Sequence, residues 1–61
     1  MKKDKLIIGT EYYLDSSKNE TGILRKFNNS GLPCFEPKKG NKYISIDGLI
    51  QFSDDYNYIA V

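Results

Sequence analysis

Few side chains in this 61-residue sequence are suited to chemistry. Cys34 is the single cysteine, set between Pro33 and Phe35. A thiolate works as nucleophile or ligand only beside a base or a cation, and a free cysteine is otherwise among the most buried residue types. An inert or half-buried Cys34 is therefore expected. The chain has no histidine, which removes the usual general base near neutral pH and leaves a zinc site short of ligands. Asp47, Asp54 and Asp55 lack the spacing and the closing glutamate of a calcium loop, so turn capping is their expected role. The reading is a protein that is not an enzyme and carries neither cofactor nor metal.

Binding chemistry is better represented. Lys38, Lys39 and Lys42 form a dense basic cluster. With Phe35, Tyr43 and Phe27 nearby they would make the basic, aromatic surface that suits a single nucleic-acid strand. Tyrosines form the second candidate set: Tyr12, Tyr13, Tyr43, Tyr56 and Tyr58. Tyrosine is enriched at protein interfaces. Consecutive tyrosines on a strand point to opposite faces, so one of Tyr12 and Tyr13 should be exposed. Net charge separates the two sets. At +1 the chain has little long-range attraction for phosphates, which calls for a clear positive excess. The balance is uneven along the chain. Every Lys and Arg lies at or before Lys42, and from Tyr43 onward only Asp47, Asp54 and Asp55 are charged.

The elements that would position these groups read as strands. A chain of this length forms one domain at most, residues 1–61, with residues 1–5 frayed. It buries about 60% of its unfolded surface and is stable by roughly 3–5 kcal/mol. KLII starts a first strand, Gly9 interrupts it with a bend, and Glu11–Leu14 continues it. DSSKNE is a polar loop. TGILRKF is a second strand and NNSG a hairpin connection with Gly31 left-handed. Leu32–Glu36 returns as a third strand that Pro37 ends, KKGN turns, and Lys42–Ile46 is a fourth. Asp47 to Phe52 forms either one 3-10 turn, the slightly preferred reading, or a short strand. Tyr56–Val61 closes the sheet. The expected inward set is Ile8, Leu14, Ile23, Phe27, Phe35, Ile44, Ile46, Leu49, Phe52 and Ile59.

This order resembles an SH3-like small β-barrel over nearly the whole chain. IIGTEYYLDSSKNETGILRKF looks like strand, RT-type loop, second strand. NNSG stands where the n-Src connection would, KKGN where the distal hairpin would, and DGLIQF where the one-turn segment would. YYLD faintly resembles the ALYDY run of SH3 peptide binders, whose Trp after the n-Src loop has no counterpart here. TGILRKFNNSGLPCF is also similar to the strand segment of KOW and Tudor-type barrels. In size and in its Lys, Ile, Asn and Tyr content the chain looks like small accessory proteins of phages and other mobile elements.

The resulting expectation is an all-β, five-stranded SH3-like barrel or strongly curled antiparallel sheet. It would act as a non-enzymatic module that docks on a larger partner protein through exposed tyrosines or a free strand edge. The same edge could pair two copies into a homodimer. Single-stranded nucleic acid bound at the Lys38–Lys42 turn is the alternative. The lone cysteine, and a start too short in apolar residues for a signal or spanning segment, point to the cytoplasm and away from a membrane.

Overall fold

The computed structural model describes residues 5–39 and 47–61. Within them the chain is all-β. Four strands form one antiparallel sheet: β1 (Glu11–Tyr13), β2 (Thr21–Phe27), β3 (Pro33–Lys39) and β4 (Ile50–Gln51), hydrogen-bonded in the order β1-β2-β3-β4. A single antiparallel bridge between Ala60 and Tyr12 adds the C-terminal segment beside β1. Among the described residues the sheet is not closed into a barrel. The expected strand Lys42–Ile46, with Tyr43, Ile44 and Ile46, lies outside the described residues. No helix among those described is long and apolar enough to cross a membrane.

Local chemistry sets the turns. Gly9, at φ 95°, turns the chain into β1. Its N–H donates to the Leu24 carbonyl and the Leu24 N–H donates to the Thr10 carbonyl, which ties this turn to β2. KLII is thus no strand: Leu6 is buried, while Ile7 and Ile8 are exposed on the turn. The β2–β3 connection is stapled by Asn28, whose Oδ1 accepts the N–H groups of Ser30 and Leu32 at 2.9 and 3.0 Å. Gly31 follows at φ 81°, the left-handed position that glycine takes without a Cβ penalty. At Asp47–Gly48 the Asp47 carboxylate accepts the Leu49 N–H at 3.1 Å and Gly48 takes φ 80°. The turn is finished within those residues, so the chain leaves it extended. Ile50 and Gln51 then pair with Phe35 and Cys34, where a 3-10 turn was the preferred expectation.

β3 also runs past Pro37, which was expected to end it. Pro37 sits opposite Gly22 at a register shift next to Thr21, and such an irregularity tolerates a missing ladder donor. Lys38 and Lys39 therefore belong to β3 and do not form a hairpin tip.

The core gathers Leu6, Tyr12, Leu14, Leu24, Phe35 and Tyr58, with Ile50, Phe52 and Tyr56 packed against it. Phe35, fully buried, lies at its centre. Its ring meets Tyr12 and Phe52 edge-on at 6.1 and 5.6 Å, and stacks on Tyr58 at 5.7 Å. These are favourable aromatic geometries. Leu14, Phe35 and Phe52 pack as expected, while Ile8, Phe27 and Ile59 are exposed. The phase of two elements differs from expectation. On β2 Gly22 and Leu24 face inward, and a second shift between Leu24 and Lys26 follows. On the C-terminal segment Tyr58 faces inward and Ile59 outward. Gly22 is needed for close approach. A Cβ there would stand 2.8 Å from Leu14 Cδ1, 3.0 Å from the Glu36 carbonyl oxygen and 3.2 Å from Phe35 Cβ.

Candidate functional site

The loop between β1 and β2 and the segment after β4 enclose a groove of about 180 Å³. Tyr13, Asp15, Ser16 and Lys18 line one wall, and Tyr56, Asn57 and Ile59 the other. Each wall has a local cause. Strand alternation sends Tyr12 into the core and leaves Tyr13 half-buried on the opposite face. Asp15 then organises the loop. Its Oδ1 accepts the N–H groups of Asn19 and Glu20 at 2.8 and 3.0 Å, and the Leu14 N–H donates to the Glu20 carbonyl at 2.7 Å. Lys18 adopts φ 61° in this tight loop and places its ammonium 5.6 Å from the Tyr13 ring centroid, within cation–π range.

The opposite wall is held by the core. Tyr56 is half-buried and meets Phe52 and Tyr58 edge-on at 5.1 and 5.0 Å. Tyr58 is buried, and its hydroxyl donates to the Ser53 carbonyl, so its phenol is satisfied inside. Burial raises the Tyr58 pKa, with Tyr56, Asp54 and Asp55 adding to it. Burial also raises the Tyr56 pKa, followed by the charge of Asp15. Both phenols stay neutral at physiological pH, in surroundings made negative by aspartates. The backbone clamps the two walls together: the Tyr13 N–H donates to the Ile59 carbonyl at 2.9 Å and the Val61 N–H to the Glu11 carbonyl at 3.0 Å.

Of the five tyrosines considered for partner binding, Tyr13 and Tyr56 meet at this groove. Tyr12 and Tyr58 are core residues, 2% and 1% exposed, and offer no surface. Tyr43 lies outside the described residues. Asp15, Ser16, Lys18, Asn57 and Ile59 were not foreseen as a site. The alternation of Tyr12 and Tyr13 was a usable signal for the groove's position, and the DSSKNE loop read only as a polar turn.

Of the basic cluster, Lys38 and Lys39 lie on β3. Lys38 stands 3.5 Å from Glu11 Oε1. The Glu11 pKa is lowered, chiefly by its hydrogen bond with Thr21 and then by Lys38. Phe35 is fully buried, so no base can stack on it. Lys42 lies outside the described residues. Two further cations on β2 are paired as well, Arg25 with Glu36 at 2.7 Å and Lys26 with Asp47 at 3.9 Å. Cys34 is buried and its thiol faces the Leu32 carbonyl at 3.8 Å. Among the described residues no group of three or more His, Cys, Asp or Glu is placed to hold a metal ion. No protein-family model, no curated protein and no solved structure gives a significant match to this chain.

Proposed function

We propose that this protein is a non-enzymatic docking module that binds a larger partner protein through the Tyr13–Tyr56–Ile59 groove. One observation carries the reading: two half-buried tyrosines and an exposed isoleucine from separate elements converge on a single concave surface. Pockets of this kind, apolar with a few polar groups at the rim, are the usual places for a side chain of a partner to anchor. The strand order, with Ala60 bridged to Tyr12 at one end and β4 at the other, supports an SH3-like meander as the scaffold. The style of the chain supports a cytoplasmic accessory protein of a phage or mobile element.

Nucleic acid is the competing outcome. Against it stand the pairing of Lys38 with Glu11 and the burial of Phe35. The test is affinity capture from the native cell, with and without nuclease, using the parent protein and a Tyr13→Ser/Ile59→Ser variant. The docking reading expects a stoichiometric protein that survives nuclease and is lost in the variant. Nuclease-sensitive recovery that ignores the variant would replace it with the nucleic-acid reading.

A further inference from the structure

Among the described residues, a strand edge beside the groove is left unpaired. The Tyr13 N–H and the Val61 N–H bond across the Ala60–Tyr12 bridge, to the carbonyls of Ile59 and Glu11. In an antiparallel pair this pattern turns the N–H and C=O of the residue in between, Ala60, away from β1. No hydrogen bond from either group is found among the described residues. Ile59 and Val61 flank Ala60 on the face opposite Tyr58 and are 43% and 61% exposed. Unpaired edges of this kind accept an added strand, with backbone bonds giving affinity and side-chain positions giving selectivity.

Charge identifies the occupant. Asp54 and Asp55 lie on this segment, Asp15 lies across the groove, and no Lys or Arg follows Lys42. The one cation on the groove wall, Lys18, sits over the Tyr13 ring. After burial, the charge of Asp15 raises the pKa of Tyr56 on the groove wall, so its field reaches the site. A second copy of the chain would bring the same acidic sign to the edge. We infer that the Ala60 edge takes an extended, basic segment of the partner protein as an added strand, its apolar side chains lying on Ile59 and Val61. This inference rests on the docking reading above and names the chemistry of the partner.

The probe is a fluorescent peptide of alternating lysine and valine, followed by anisotropy and by the NMR shift of the Ala60 amide. Controls are the glutamate–valine peptide and the fully N-methylated lysine–valine peptide, which keeps its side chains and lacks every backbone donor. On the protein side, Ala60→Pro removes the outward donor and leaves the Val61 N–H bond to Glu11 in place. Proline is tolerated at such edge positions. The expected result is salt-sensitive binding that moves the Ala60 amide. It should be weakened at least about tenfold by N-methylation, as the loss of ordinary backbone bonds requires, and absent with glutamate. If Ala60→Pro fails to fold, the N-methylated peptide decides alone. Equal binding of the N-methylated peptide, or no lysine–valine binding up to about 1 mM, overturns strand addition. So does self-association of the chain in place of peptide binding. Tyr13- and Ile59-dependent capture of a partner that persists after such a failure removes only the edge inference. Loss of that capture too removes the docking reading itself.

Discussion

Replacing Phe35 by alanine should unfold this protein at 25 °C, and replacing Phe27 by alanine should leave it folded. Both are phenylalanines on adjacent paired strands, and the sequence alone placed both inward. Phe35 is fully buried against Tyr12, Phe52 and Tyr58. Truncating a core phenylalanine to alanine costs about 3–5 kcal/mol. A single core of this size supplies only about 3–5 kcal/mol in total, so the balance falls to around zero. Phe35→Leu keeps more of the volume and should cost about 1–2 kcal/mol. With a urea slope near 1 kcal/mol/M for a small domain, its midpoint should fall by about 1–2 M. Phe27 is 37% exposed at the end of β2, and its truncation should cost less than about 1 kcal/mol. Urea titrations followed by far-UV circular dichroism, with one-dimensional NMR to report side-chain dispersion, give all three values. A native spectrum and unchanged midpoint for Phe35→Ala would refute the argument, as would a larger loss for Phe27→Ala than for Phe35→Leu.

Three further outcomes follow from the same packing. Gly22→Ala should lower the thermal midpoint at a cost of about 1–3 kcal/mol, because the new Cβ collides with the Glu36 carbonyl and Leu14; a variant as stable as the parent would mean that β2 can lift off β3. Stability should fall at alkaline pH: the Tyr58 pKa is raised in the folded state, so its contribution is whole below the ordinary tyrosine value of about 10 and is lost as the pH rises above it. Tyr58→Phe should flatten that alkaline limb in pH-dependent urea titrations, and an unchanged limb would count against the buried phenol. Cys34 is buried, so a thiol reagent should modify it in the native protein only as fast as the chain opens; rapid labelling under native conditions would contradict its position on β3.

Some of this architecture was legible in the sequence because it depends on short-range chemistry. Asn28 to Gly31 announced its hairpin through residues that tolerate left-handed backbone and cap their own turn. Gly9 announced a bend. Tyr12 and Tyr13 announced one buried and one outward ring by strand alternation alone. What stayed hidden depended on pairing. On β2 both faces carry an apolar residue, Ile23 and Phe27 on one and Leu24 on the other, so periodicity could not choose between them. The choice is made by Gly22, whose absent side chain lets β3 and Leu14 close in, and by the shift after Leu24. Tyr58 and Ile59 posed the same problem. The Ser53 carbonyl decides it by accepting the Tyr58 hydroxyl, which makes the larger, more polar residue the inner one. The groove required two distant segments to meet, and no local pattern encodes that. Lys38 and Lys39 were read as turn residues because Pro37 was read as a strand end, while the shift opposite Gly22 absorbs it.

The most direct test of the docking account is photo-crosslinking from the groove in the native cell. A benzoylphenylalanine placed at Tyr13 reports on the groove, and one placed at Arg25, on the exposed part of β2, serves as the control. The account predicts one crosslinked partner protein from position 13, at a defined mass and insensitive to nuclease, and none from position 25. Crosslinks to nucleic acid from position 13, or the same protein adducts from both positions, would contradict it.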